Sequence, residues 1–363
     1  MLQRTETHID VPSVPPFEEG TPDISVVVVN WNRSNLLKNS LKSLELQTGV
    51  SFEVIVVDNA SDDDSVDMLL GMKKSVRYSL RIVENKTNTG FCAGNNRGIA
   101  LARGGWIALL NNDAEAEPQW LRSMWSAVKA KPEFGMVASK ILLYEDPRKI
   151  DKTGHLIYPD GQNRGRGTGE WDNGQYETQE EVLWPDGCAA LYRKAMLDEI
   201  GGFDEDLFAY GDDAELGLRA RIAGWRCLYV PEAVVRHHHS STLGSLSTRR
   251  LELIERNRIL LAVKHFPMRL LWLNGVWFSL RIAAGAWAAL RGKGEAGRFV
   301  GSAGKVAIAV ALLRGMFAAL LMIPETMRKR RSLRHIRRMN SKEIQNLVFA
   351  HKISLKTLSE TAL

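Results

Sequence analysis

ISVVVVNWNRSN, residues 24–35, sets the class of the fold. Its first seven residues form a short, unbroken, valine-dominated run, the pattern of a parallel strand covered on both faces. The turn that follows, NWNRSN, contains no glycine. Ser34 or Asn35 then suits a helix N-cap, and Leu37, Leu41 and Leu44 mark one face of the helix behind it. FEVIVVDNAS (52–61) is a second buried strand, and Asp62–Asp64 favour a helix start after it. RIVEN (81–85) reads as a third strand, leading through NTGFCAGNNRGIALA into a helix. WIALLNND (106–113) is a fourth, ending in a carboxylate. This alternation predicts an α/β fold with an open, mostly parallel central sheet and helices on both faces. Ligands of such sheets bind beyond the carboxyl ends of the strands. Asn30 and Asn32, Asp58 and Asn59, Asn85 to Gly90, and Asn111 to Asp113 all fall there and converge on one crevice.

Farther along, PDGQNRGRGTGEWDNGQY (159–176) is polar and glycine-rich, which predicts a mobile loop. VLWPDGCAALYRKAML resumes a strand and helix, and GGFDEDLFAYGDDAELGLRARIAGW gives a turn and a helix. WRCLYVPEAVVRHHH closes the body with two short strands. From about Thr248 the composition shifts to amphipathic helices rich in Trp, Leu, Ala and Arg. The expected organisation is a loose tail over 1–22, an α/β domain over 23–247 and a basic helical region over 248–363. The N-terminal residues lack the apolar stretch of a signal peptide, so none is expected. Cys92, Cys188 and Cys227 form no CxxC pair, which points away from disulfides and cysteine zinc sites and toward a reducing compartment.

The net charge of +6 is unevenly spread. Residues 251–363 hold 20 Lys and Arg against 6 acidic residues, whereas residues 1–250 hold 28 against 36. An acidic body with a basic appendage implies an anionic partner. The longest uncharged run between Arg269 and Arg291 is 11 residues, and Arg314 interrupts the apolar window 306–324 at a cost of about 2.5–3.5 kcal/mol for insertion. Hence the tail is expected to lie on a membrane rather than cross it. MRKRRSLRHIRRM (327–339) carries seven Lys and Arg, each worth about 1 kcal/mol near an anionic leaflet. Trp272, Trp277 and Trp287 suit the headgroup boundary. On this reading, truncation after about Lys264 leaves a soluble protein that still binds its small-molecule ligand.

A dinucleotide fold would need GxGxxG after the first strand, and a P-loop would need GxxxxGK[ST]; neither is present. What remains is a crevice built from Asn and Asp. Asp58 can accept hydrogen bonds from a base or ribose, or simply cap a helix. Asp113, with Glu115 and Glu117 beyond it, can hold a divalent cation bridging phosphates, or form a solvated acidic turn. In Asp212-Asp213-Ala214-Glu215, Asp213 can cap a helix or act as a general base, and Glu215 can pair with Arg219. His237, His238 and His239 end a strand, where alternation sends two to one face and one to the other.

NWNR, VVDNASDD, NTGFCAGNNRGI, LLNNDAE, the GGFDEDLFAYGDDAELGLRARIAGW segment, PEAVVRHHHSS and ERNR together resemble family 2 glycosyltransferases over about residues 22–265. The similarity is greatest to the bacterial branch of rhamnosyl- and galactofuranosyltransferases of surface polysaccharides. It implies a GT-A fold and inverting transfer from a nucleotide sugar (dTDP-, UDP- or GDP-linked) to a hydroxyl of a glycan or lipid-linked acceptor. Asn111-Asn112-Asp113 stands at the DxD position with Asn for the first Asp, so Asp113 becomes the metal carboxylate for Mg²⁺ or Mn²⁺, joined by His237. Asp213 stands where the family has its base, and Glu215 replaces the usual last Asp of that element. Asn30, Asn32, Asp58, Asn59, Asn88, Gly90, Asn95, Asn112 and Asp186 are the nucleotide-sugar-binding positions it implies. The location implied is cytoplasmic, on the inner face of the cell membrane. The alternatives are weaker. A nucleotidyltransferase wants a glycine-rich basic turn after the first strand, and a nucleic-acid binder wants aromatics interleaved with its basic run. Here the tryptophans stand apart from RKRR, so no nucleic acid partner is expected.

Overall fold

The computed structural model describes residues 20–239, 247–294 and 304–361; the tail expected over 1–22 lies, up to residue 19, outside them. The first half follows the alternation: β1 (Ile24–Asn30), α1 (Ser34–Glu45), β2 (Phe52–Asp58), α2 (Ser65–Met72), β3 (Ser79–Glu84), α3 (Gly90–Leu101) and β4 (Trp106–Leu110). β3, β2, β1 and β4 lie side by side and parallel. Helix α1 starts differently from expectation. Its N-cap position is Arg33 in the left-handed region (φ 66°), and Ser34 is its first residue, with the Asp63 carboxylate accepting from the Ser34 N–H.

The chain continues through β5 (Ala114–Ala116), α4 (Trp120–Ala130), β6 (Phe134–Leu143), β7 (Ile150–Lys152), β8 (His155–Ile157), β9 (Asn163–Gly165) and β10 (Glu180–Val182). Then come β11 (Ala189–Arg193), α5 (Lys194–Ile200), α6 (Asp212–Ile222) and β12 (Arg226–His237). The sheet runs β10-β12-β6-β11-β4-β1-β2-β3, with β5 on β12 and β7 on β6. Antiparallel β11 joins the parallel quartet to the parallel pair β6–β12. Where two short strands were expected at the end, β12 is one strand. A register shift between Val230 and Val234 absorbs Pro231, whose missing N–H a bulge tolerates. The segment expected to be a mobile loop is partly ordered: β8 and β9 form a hairpin, and Asp160 in its turn is fully buried. Apolar layers fill both faces of the sheet, with Trp120 and Tyr192 among the largest buried side chains.

The C-terminal helices are α7 (Thr248–His265), α8 (Met268–Trp272), α9 (Asn274–Leu290), α10 (Lys305–Ser332), α11 (Ser341–Ala350) and α12 (Leu355–Glu360). They make a third core, in which Trp184, Leu218, Phe266, Leu270, Ile344 and Val348 meet. α10 lies close along α7 because Ala311, Gly315 and Ala319, spaced one turn apart, leave room; a Cβ on Gly315 would come 2.5 Å from the Glu252 carbonyl oxygen. With its 3₁₀ extension, α10 runs over Lys305–Ile336 and is long and apolar enough to cross a membrane by length and composition alone, which is compatible with the expected surface position as well. The basic run is also not a free appendage. Lys329 pairs with Asp204 and Asp206, Arg330 donates to the Val263 and Phe266 carbonyls, and Arg338 donates to Ala223 and Glu199.

Candidate active site

A cavity of about 1260 Å³ opens beyond the carboxyl ends of β1, β2 and β4. One wall is a backbone ladder. β5 pairs with β12 so that Ala114 faces His237, and the His238 N–H donates to the Asp113 carbonyl at 2.9 Å. Asp113 and His237 are therefore held together by sheet pairing rather than by loops. The His237 Nε2 lies 3.3 Å from an Asp113 oxygen, while its Nδ1 lies 2.8 Å from Asp151. His239 meets the other Asp151 oxygen at 3.1 Å, and His238 turns away to stack on Tyr144. The expected two-to-one split of the histidines is thus seen. Burial by itself raises a carboxyl's pKa, but the Lys152 charge and the two imidazoles hold Asp151 well below the usual range. A carboxylate behind an imidazole is the arrangement that fixes the tautomer and aim of a metal-binding histidine. The oxygen–nitrogen pair of Asp113 and His237 has the donor types and spacing of two adjacent ligands on one divalent cation.

The acidic start of α6 lines the same cavity. His155 Nε2 sits 3.2 Å from Asp213 and 2.9 Å from Asp186, and Lys152 adds a 2.8 Å pair to Asp186. Burial disfavours a charged imidazole, yet Asp213 and Asp186 outweigh it and raise His155 to about 9, so it is an imidazolium at neutral pH. Asp212 is pushed the other way for a carboxyl: burial and the Asp213 charge raise it to about 8. Both aspartates line the cavity, and Asp213 is the one that meets His155.

The positions expected to bind a nucleotide sugar divide into two groups. Asn59, Asn88, Gly90, Asn112 and Asp186 line the cavity together with Asp113, Asp213 and His237. Asn30, Asn32, Asp58 and Asn95 lie behind its surface. Asp58 accepts from Asn30, from the Ser61 N–H and from the Ser61 hydroxyl. Asn30 accepts from Asn112 at 2.8 Å, so these residues brace the strand ends behind the crevice. Asn32 holds the turn to Ser61 and Asp62, and Asn95 donates to the Phe91 carbonyl inside α3. Gly90 is a required glycine. Its φ is +83° and a Cβ there would sit 2.5 Å from the Phe208 ring.

Two family descriptions match the chain: glycosyl transferase family 2 over residues 25–201, and glycosyl transferase family group 2 over residues 174–323. The chain carries a glycosyl transferase family 2 domain. It is 27% identical over 246 residues to the N-acetylglucosaminyl-diphospho-decaprenol L-rhamnosyltransferase of Mycobacterium tuberculosis, covering 62% of this chain and 78% of that protein. It is 30% identical over 230 residues to the O-antigen biosynthesis protein RfbC of Myxococcus xanthus, covering 61% of this chain and 18% of that protein. Against the curated relatives it matches, the chain spans from 18% to 78% of their own length. The crystal structure of GalNAc-T7 with UDP, GalNAc and Mn²⁺ shares the fold, with a TM-score of 0.56 at 14% identity over 68% of this chain and 48% of that one.

In this transferase, the helix that bears Asp213 is clamped to α7. Glu215, the departure from the family pattern, faces away from the cavity. It is fully enclosed by Arg219, Lys264 and His265, whose charges and hydrogen bonds hold it ionised against burial. The ERNR motif divides between two tasks. Glu255 pairs with Arg258 and Arg281, whereas Asn257 donates to the Leu207, Ala209 and Tyr210 carbonyls and Arg256 donates to the Asp206 and Leu207 carbonyls. Arg256 and Asn257 thus clasp a loop in which Phe208 (φ 64°), Tyr210 (φ 68°) and Gly211 (φ 74°) are all left-handed, a strained run that only surrounding contacts can maintain. Asp151, Lys152 and His155 belong to no motif in the sequence. The one trace of them is a set of charged residues in short apolar surroundings, ILLYEDPRKIDKTGHLIY.

Proposed function

We propose that this transferase is an inverting enzyme that moves a sugar, rhamnose-like or another hexose, from a nucleotide sugar to a hydroxyl of a lipid-linked or glycan acceptor in cell-surface polysaccharide synthesis. The observation that carries the reading is the gathering of two pairs on one cavity lining: Asp113 with His237, backed by Asp151, and Asp213 with His155. Asp213 accepts the proton of the acceptor hydroxyl as its oxygen attacks the anomeric carbon. His155 keeps the Asp213 carboxylate aimed. Asp113 and His237 are the residues that would hold Mg²⁺ or Mn²⁺, which when bound neutralises the charge that builds on the leaving diphosphate. Asn59, Asn88, Asn112 and Asp186 are proposed to contact the nucleotide sugar, with Asn30, Asn32, Asp58 and Asn95 keeping the strand ends and α3 in place beneath it.

A second carboxylate near Asp213 raises the alternative of double displacement. Asp186, however, accepts from Cys188 N–H, His155 and Lys152, and they hold its pKa far below the usual range against burial. That makes it a poor nucleophile and favours a single displacement with inversion. The relative that rhamnosylates N-acetylglucosaminyl-diphospho-decaprenol supports a lipid diphosphate acceptor met at the cytoplasmic face of the membrane. The exposed apolar side chains of α9 and α10 support surface docking there.

The test is Asp213→Asn. Transfer from a screened panel of UDP-, dTDP- and GDP-sugars with Mn²⁺ should fall by about 10²–10⁴ while nucleotide-sugar binding persists. Asp212→Asn should keep most of the activity. Near wild-type turnover in Asp213→Asn would remove it from the role of base.

A further inference from the structure

The cavity does not end at the nucleotide crevice. Its lining also takes in an arm along α7, α9 and α10 that carries Leu251, Ile254, Ile282, Ala289, Ile308 and Leu312, beside the mutually paired Glu255, Arg258 and Arg281. We propose that this arm holds the hydrocarbon chain of an amphiphilic diphosphate acceptor, with the acceptor's head at Asp213 and its tail running out between the helices. The inference rests on the reading of the crevice as a sugar-transfer site, and it assigns a place to a part of the substrate that the catalytic residues do not touch.

Four observations converge on that occupant. The volume, about 1260 Å³, exceeds the roughly 300–1,000 Å³ usual for one small ligand, so the donor alone would leave much of it unfilled. These six arm residues offer no side-chain donor or acceptor, which suits a hydrocarbon and would leave a glycan or peptide unsatisfied. Cations also stand on the lining, Arg250 on α7 and Lys305 at the start of α10, and their charge suits a diphosphate. Finally, the arm reaches the surface at Leu290, which lines it and is 75% exposed, next to an apolar exterior. Trp287, Leu313, Phe317 and Leu321 are each more than 60% exposed on the outer faces of α9 and α10. A chain leaving the arm there enters apolar surroundings rather than water.

Gly285 provides the means of testing this. It lines the arm inside α9, and a Cβ added there meets nothing within 4 Å. A side chain can therefore be rooted at this position without a Cβ clash, and replacing glycine improves helix propensity. Isopentenyl, geranyl and farnesyl diphosphate, with inorganic pyrophosphate as the chainless control, should be titrated into the whole protein below their micellar concentrations. The expected result is an affinity that rises at least tenfold from isopentenyl to farnesyl diphosphate in the wild type. In Gly285→Trp, and in Ala289→Trp as a second blocker, farnesyl diphosphate should bind within threefold of pyrophosphate, with UDP and GDP binding unchanged. A flat chain-length series, or a rise that both variants leave intact, would overturn the proposal. So would equal, variant-sensitive binding of lyso-phosphatidylglycerol, which would assign the arm to bulk membrane lipid. A protein that shows the chain-length effect but turns over no nucleotide sugar would instead sink the transfer reading and leave the chain site standing.

Discussion

Asp151 has both oxygens engaged by imidazoles, His237 on one and His239 on the other, so its effect on catalysis passes through them. Asp151→Asn should weaken cation affinity by about 10–100-fold, the usual cost of losing the partner of a metal-binding histidine. Titration of Mn²⁺ binding by electron paramagnetic resonance would measure it. Activity should recover at high Mn²⁺, whereas in Asp113→Ala it should not. His155 makes a separate statement about pH. Its folded-state pKa of about 9 lies above its ordinary 6.5, so its contribution to stability is complete below pH 6.5 and disappears as pH rises through 9. Asp212, at about 8 against 3.8, also holds its proton more tightly in the folded state and acts in the same direction up to pH 8. The midpoint of thermal unfolding should therefore fall between pH 6.5 and 9, and His155→Gln should flatten that fall. A midpoint independent of pH over this range would contradict both assignments.

At the level of elements, the loop before α6 is the part most dependent on others. Phe208, Tyr210 and Gly211 hold left-handed conformations, and one Asn257 amide satisfies three of the loop's carbonyls. Asn257→Ala should release them, and stopped-time assays should show kcat reduced well beyond any change in nucleotide affinity. Equal loss of both would mean that the helix, not the loop, had failed. The same comparison explains what could be read without a structure. The strands at 24–30, 52–58 and 106–110 were legible because short, continuous apolar runs need no partner to declare themselves. The hairpin at 155–165 was not. Its glycines look like flexibility, and its order comes from Asp160 meeting Arg258 and Arg281 about a hundred residues later. Asp113, Asp213 and His237 stand out through their motifs, and all three line the one cavity. Asp151 and His155 stayed hidden because their contacts with His237 and Asp213 exist only once β7 and β8 are brought against β12 and α6.

For the whole molecule, the helical region now reads as part of the catalytic unit. Cutting after Lys264 would remove Phe266, Leu270, Ile344 and Val348, all fully buried. At about 1.5–3 kcal/mol each, that loss rivals the 5–15 kcal/mol of a typical fold. The truncated chain should therefore precipitate or bind apolar dyes, in contrast to the soluble remnant that composition suggested. A cooperative, soluble, nucleotide-binding fragment would refute this. α10 itself has 28 residues, about 42 Å of continuous helix, with the exposed Leu313, Phe317 and Leu321 along its body. Near its C-terminal end Lys329 is fastened to Asp204 and Asp206, a few residues before Asp213. A helix anchored in this way is a strut. Any apolar surface that meets the flank of α10 is therefore held at a set distance from Asp213.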